Sequence, residues 1–260
     1  LISRVEPNRK DYLSRARRIY RGRIDGVAHG CVFGWCQRIG SNDPVRLELA
    51  RAMIADVLYA LAQTASIERT IVVTCESSLA AAAREQGALV LEDAPEAGQS
   101  AAVRIGVRRA LAEGIERVLC IPGDCPALDP AELDRLLLAG HDDRDDRDAR
   151  DGSAVGRARE VVIIPDRHGT GTNGLLLAPP DAIEPSFGPD SFARHRALAL
   201  AAGAACRVER PPSLLLDIDT GADLVALRER LAGAGASAPR TRAVLSQPER
   251  PDMLSITSTG

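Results

Sequence analysis

Asp124 lies in the stretch VLCIPGDCPALDP, residues 118–130, where a run that reads as a buried strand leads directly into Pro-Gly. A carboxylate just past a strand end projects into the crevice there while the backbone turns sharply beneath it. An oxygen ligand of this kind suits magnesium, which takes one or two carboxylates and fills its remaining positions from phosphates and water. The competing reading is that Asp124 caps the turn, as aspartates commonly do.

Three further stretches carry donors or acids at useful spacing. In PDRHGTGTNGLLL, residues 165–177, glycines and threonines between two strand-like runs predict a loop with exposed amides and hydroxyls, Thr172 among them, suited to a phosphate or carboxylate. It is no Walker loop, because the Gly-Lys-Ser/Thr ending is missing, and a plain hairpin connection fits the same composition. In PSFGPDSFARH, residues 185–195, Gly188 and Pro189 break the chain and a helix follows at once. Backbone N–H groups near Ser191 then form an anion site at a helix N-terminus, or Asp190 or Ser191 is simply the cap. In LLLDIDTGADL, residues 214–224, Asp217 and Asp219 alternate at the end of an apolar run that reads as a strand, so both point to one face with Ile218 opposite. One of them could join Asp124 on a metal, while Asp219 or Thr220 could instead cap the following helix.

No nucleophile–base pair accompanies these stretches. His29, His141, His168 and His195 are scattered, and no Gly-x-Ser-x-Gly elbow is present. That pattern fits a reaction that needs no protein base. A phosphate monoester, with a second pKa of about 6, is mostly dianionic at neutral pH and already a competent nucleophile. Metal, positioning and charge stabilisation then suffice.

The elements that must position these residues alternate between helix and strand from residue 45 onward. RTIVVTC, ALVL, RVLCIP, EVVIIP, GLLLAP, CRVE and LLLDI read as strands, separated by amphipathic helices. One helix starts at Asp129 as cap with Pro130 in its first turn. The alternation predicts a mainly parallel, doubly wound sheet with its ligands outside the carboxyl ends of the strands. Residues 1–45 read differently, as a basic helix-capable segment and a Gly-rich pair of hairpin strands, and are expected to be an atypical appendage. The nucleotide-handling domain is expected at 46–234, and 235–260 reads as a poorly ordered tail. HDDRDDRDARDGSAVGRARE, residues 141–160, is mixed charge and reads as a solvated loop.

Bulk composition narrows the partners. Of 260 residues 45% are apolar, enough for a substantial core. Lysine and arginine total 33 against 36 acids, so a net charge of -3 offers no basic field for nucleic acid or a membrane surface. A small anionic substrate needs a local donor cluster instead. No apolar run approaches the roughly 18 residues of a membrane span, and the N-terminal residues lack the apolar core of a secretory signal, so a cytoplasmic protein is expected. Cys75, Cys120, Cys125 and Cys206 sit in or beside apolar runs and read as small reduced hydrophobes rather than metal ligands.

CIPGDCPALDPAELDRLL, PDRHGTGTNGLLLAPPDAIEPSFGPDSFARH and LDIDTGADL, in this order and spacing, closely resemble the guanylyltransferases of deazaflavin coenzyme F-420 biosynthesis, MobA-like nucleotidyltransferases. ARAMIADVLYAL and GQSAAVRIGVRRAL resemble the first helix and the base-proximal segment of that family, so the likeness spans roughly residues 47–232. The resemblance implies a Rossmann-like GT-A-type α/β fold and transfer of guanylate from GTP to 2-phospho-L-lactate, phosphoenolpyruvate or 3-phosphoglycerate, with pyrophosphate released. It implies magnesium on Asp124, with Asp219 as the second acid near the metal. Thr172, Gly188 and Ser191 would hold the phosphorylated acid, and Gln99 and Ser100 would lie close to the guanine. It also implies a homodimer. Relatives grip the triphosphate with a basic loop of the form V-P-V-K followed by A-K-S/T-R-L, which residues 1–46 do not match. A molybdenum-cofactor-type cytidylyltransferase shares the DIDT ending, and an inactive nucleotide-binding relative would fit the altered N-terminus.

Overall fold

The computed structural model describes residues 29–34, 44–92, 98–139, 159–233 and 237–247. Most of the charged stretch 141–160 and all of residues 1–28 and 35–43 lie outside the described residues. Within them, β1 (His29–Gly34), β2 (Arg69–Val73), β3 (Leu89–Leu91), β4 (Arg117–Ile121), β5 (Glu160–Pro165), β6 (Thr172–Ala178) and β7 (Ala205–Val208) form one sheet in the order β3-β2-β1-β4-β6-β5-β7. Every pairing is parallel except those that β6 makes with β4 and β5.

The central strands are apolar at nearly every position because both faces are covered. Val72, Leu119, Ile121, Val162, Ile164 and Leu176 pack on one side against α1 (Pro44–Gln63), α2 (Ser77–Glu85) and α4 (Pro130–Leu138). Their neighbours Ile71, Val73, Val118, Cys120, Val161, Ile163, Leu175 and Leu177 pack on the other side against α3 (Gly98–Ala112) and α5 (Ser191–Ala201). Each fully buried leucine or isoleucine contributes on the order of 1.5–3 kcal/mol. A register slip by one residue would exchange the two faces. Asp129 caps α4 as expected, its carboxylate accepting from Ala131 N at 2.8 Å with Pro130 in the first turn. Cys120 and Cys125 are buried, whereas Cys75 and Cys206 are exposed, so only the first two act as core hydrophobes.

Two stretches outside 46–234 fold otherwise than their composition suggests. HGCVFG is no part of an appended hairpin: β1 runs parallel between β2 and β4, in register from Gly30↔Arg69 to Gly34↔Val73 and from His29↔Arg117 to Phe33↔Ile121. It supplies both neighbours with the ladder partners that a gap at the sheet centre would deny them. At the other end, Pro239–Leu245 forms a helix, α7, rather than a loose tail. The buried carboxylate of Asp56 on α1 accepts from Thr241 N at 2.8 Å and Arg240 N at 3.2 Å. Val244 and Leu245 join Leu49, Met53 and residues Leu224, Leu227 and Leu231 of α6 (Gly221–Ala232) in a third apolar cluster.

The chain moves outward from β1 through β2 to β3 and then returns to β4 on the other side of β1. That reversal puts a crevice beyond the carboxyl ends of β1 and β4. Asp124 follows β4 there. Because β6 is antiparallel, its first residues lie at the same edge. The β4–β6 register, run on past Cys120↔Leu175, sets Asn173 and Thr172 abreast of the Pro122–Gly123 turn.

Candidate functional site

Asp124 does not merely cap a turn. Its Oδ1 is shielded from solvent and has no hydrogen-bond partner. Burial first, then the charges of Asp217 and Asp219, push its pKa up to about 7 against the pull of one backbone hydrogen bond. A buried acceptor without a donor, pressed by two like charges, is costly unless a proton or a metal cation is brought in.

LLLDI, expected as a strand, is instead a 3-10 turn at Pro212–Leu214 followed by irregular backbone. The run lies outside the sheet ladder, yet the alternation of its side chains survives. Leu216 and Ile218 pack into the third apolar cluster, while Asp217 accepts from Asn173 Nδ2 at 3.2 Å. The same Asn173 amide donates to Leu214 O at 3.0 Å, so β6 pins this run in place. Of the two acids, Asp217 acts more strongly on Asp124 than Asp219 does. The helix cap falls to Thr220, whose hydroxyl accepts from Asp223 N at 3.3 Å while Asp223 Oδ2 accepts from Thr220 N at 2.7 Å. Asp219 is therefore free of capping, and burial with the charges of Asp217, Asp223 and Asp166 pushes its pKa up.

Among the described residues no three His, Cys, Asp or Glu side chains close into a ready-made metal cage. The acids present fit magnesium nonetheless, since it needs one or two carboxylates and draws its other ligands from substrate phosphates and water. The orphaned Oδ1 of Asp124 is the observation that supports this fit.

The GTGTN loop does not present the free amides its composition predicts. Asp166 accepts from Thr170 N and Gly171 N, both at 2.9 Å, and from the Thr170 hydroxyl at 3.2 Å. Burial opposes the charge of Asp166, but the amides of Gly171, Thr170 and Gly169 together hold its pKa below the usual carboxylate value. A Cβ on Gly171 would stand 2.8 Å from Asp166 Oδ2, which is why glycine is needed there. What the loop delivers is the buried hydroxyl of Thr172, 3.0 Å from His195 Nδ1.

The second turn is similarly self-satisfied. Gly188 has φ +107°, a conformation that glycine reaches without strain. Arg194 laces the turn from α5, donating to Ser186 Oγ at 3.2 Å, Ser186 O at 3.1 Å, Phe187 O at 3.3 Å and Pro189 O. Ser191 N donates to Gly188 O and Phe192 N to Thr170 O, both at 3.1 Å, so two helix N-terminal amides expected for an anion are already used. The Ser191 side chain is almost fully buried. Ser100 reaches this turn rather than an open base site, its hydroxyl accepting from Phe187 N at 2.8 Å and donating to Phe187 O at 3.4 Å. Gln99 beside it is half-buried at the start of α3.

Asn173 and His195 stand in the site beyond the residues selected from sequence, while Asp217 is one of the two acids weighed there. Asn173 was visible as the polar residue closing GTGTN. His195 had no such signal, because its partners lie on other elements.

Three comparisons bear on this arrangement. Residues 34–169 match the MobA-like NTP transferase domain family. The chain is 47% identical to the phosphoenolpyruvate guanylyltransferase of Conexibacter woesei over 78% of this chain and 84% of the relative. It is 35% identical to the protein of that name from Sphaerobacter thermophilus, over 72% of this chain and 81% of the relative. Among solved structures, a cytidylyltransferase from Leptospira borgpetersenii superposes with TM-score 0.52 at 15% identity, covering 90% of this chain and 99% of that one, a likeness of fold alone.

Proposed function

We propose that this chain, which belongs to the phosphoenolpyruvate guanylyltransferase family and is a MobA-like nucleotidyltransferase, joins GTP to phosphoenolpyruvate with release of pyrophosphate. The name shared by its relatives favours that acid over 2-phospho-L-lactate and 3-phosphoglycerate. The family resemblance supports a product destined for coenzyme F-420 biosynthesis, and a cytoplasmic reaction accords with its soluble substrates. The acid's phosphate oxygen bonds to the α-phosphorus of GTP as the bond to the bridging oxygen breaks, so pyrophosphate carries away the negative charge. No protein base is required, because the attacking phosphate is already deprotonated.

Asp124, with Asp217 or Asp219 beside it, would hold magnesium. Bound there, the ion supplies charge neutralisation for the reacting phosphates. Thr172, Gly188 and Ser191 hold the acid, and Gln99 lies on the guanine side. Ser100 acts through the Phe187 backbone, fixing the turn that carries Gly188. The single observation that carries this reading is the buried Oδ1 of Asp124, left without a donor beside two further carboxylates.

Pyrophosphate release tests it. Magnesium, GTP and each acid in turn are supplied, and turnover is expected with GTP and phosphoenolpyruvate. Turnover with CTP alone would instead support the molybdenum-cofactor-type reading. Nucleotide binding without turnover would mark an inactive relative.

A further inference from the structure

We propose that His195 is a positioning residue for the phosphorylated acid: it donates its Nδ1 proton to Thr172 Oγ1 and so leaves the threonine's own proton to face the substrate anion. The inference rests on the reading of Thr172 as an acid-binding residue.

The tautomer follows from the partners. Ser186 N donates to His195 Nε2 at 2.9 Å, so Nε2 carries a lone pair. A neutral imidazole has one ring proton, which must then sit on Nδ1. Nδ1 is 3.0 Å from Thr172 Oγ1, and with a proton already between them the threonine oxygen is the acceptor. A hydroxyl has one proton and rotates to suit its neighbours. Barred from pointing at His195, that proton must seek an acceptor elsewhere. The dianionic phosphate and the carboxylate of the acid are acceptors only, so a threonine that gave its proton to the ring would offer them lone pairs and repel them.

The surroundings hold the ring in this state. His195 is fully buried on α5, with the Phe187 ring edge-on at a centroid distance of 5.1 Å. Burial first, and the nearby Arg194 charge second, lower its pKa to about 4. A proton on Nε2 would also set two donors face to face and break the bond from Ser186. The same ring joins the two stretches that supply acid-binding residues, because Thr172 opens β6 and Ser186 precedes Gly188 in the turn. It therefore fixes their separation as well as the direction of one donor.

Two substitutions separate these tasks. In His195→Asn the side-chain amide nitrogen takes the place of Nδ1 and keeps the donor to Thr172. In His195→Gln the terminal group takes the place of Nε2, keeping the acceptor for Ser186 and losing that donor. The expected result is a KM for phosphoenolpyruvate raised about tenfold in His195→Gln, with the GTP KM within about twofold of wild type. His195→Asn is expected to stay within about threefold for both. Combining His195→Gln with Thr172→Val should add no more than about twofold to the loss caused by Thr172→Val alone.

Equal impairment of both His195 variants, or parallel changes in the two KM values, would overturn the proposal. A long-range proton–nitrogen spectrum should show Nε2 unprotonated at pH 7, and a proton there would overturn it too. If the wild type releases no pyrophosphate with any acid, the guanylyltransferase reading fails on its own. Calorimetric affinity for phosphoenolpyruvate in the same variants then decides the His195 role by the same ordering. Absence of phosphoenolpyruvate binding to the wild type would sink both.

Discussion

At the amino-terminal end of β4, buried Arg117 meets Glu160 of β5 at 3.4 Å; at the other end of that strand, Asp124 buries an oxygen that meets nothing. In the first cluster charge meets charge. Arg207 of β7 reaches Glu160 at 3.1 Å and Glu209 at 2.8 Å, and the Arg117 and Arg207 guanidiniums donate to Ala139 O at 3.3 and 3.0 Å. The second accumulates acids instead, Asp217 and Asp219 both working against the ionisation of Asp124. Paired charge at one edge binds β4, β5, β7 and the end of α4 together. Crowded acids at the other cost free energy that a bound cation would relieve. Under the proposed function the same strand would serve stability at one end and chemistry at the other, as expected where an open α/β sheet keeps its ligands beyond the carboxyl edge.

Substitutions that neutralise each edge sharpen the contrast. Asp124→Asn should lower turnover on the order of a thousandfold. It should also raise the stability of the metal-free protein by about 1–3 kcal/mol in urea unfolding at neutral pH, because it removes a buried charge opposed by two others. Glu160→Gln should do the reverse, costing about 3–5 kcal/mol because it neutralises the carboxylate that buried Arg117 and Arg207 both meet. Its kcat/KM for GTP should stay within about twofold of wild type, measured well below the melting temperature. Reduced turnover with unchanged stability would break the contrast.

Acid titration sharpens it further, through His195 on the site side. Its pKa falls from 6.5 to about 4 on folding. Above pH 6.5 the ring is neutral in both states, and between about 6.5 and 4 only the unfolded chain takes up the proton. Stability should therefore fall by about 2–3 kcal/mol across that window, and in His195→Asn that component of the slope should vanish. Ser191→Ala has the smallest expected effect: loss of one hydrogen bond to the acid, read as about 1–2 kcal/mol in its KM, with the GTP KM unchanged.

The legible parts of the molecule were those set by local pattern. VLCIP, EVVIIP and GLLLA announced buried strands by composition, and Asp124 stood out because an acid ended one of them. HGCVFG did not, since a short glycine-bearing strand acquires its identity only from β2 and β4 on either side. Helix α7 was equally hidden, because what docks it is Asp56, 185 residues before Thr241. The GTGTN amides are hidden for a local reason: the aspartate just ahead of the loop satisfies those of Thr170 and Gly171, a side-chain-to-backbone competition that Asp performs readily. Asp217 gains weight over Asp219 only when Asn173 of β6 is seen to hold it.

The most direct test is a diffraction experiment on crystals grown with manganese and a non-hydrolysable GTP analogue, in which the anomalous signal locates the ion. The account predicts a peak about 2.0–2.2 Å from Asp124 Oδ1, with Asp217 or Asp219 on the same ion and the nucleotide's phosphates completing its coordination. An ion bound to the nucleotide while Asp124 Oδ1 stays buried and uncoordinated would contradict it.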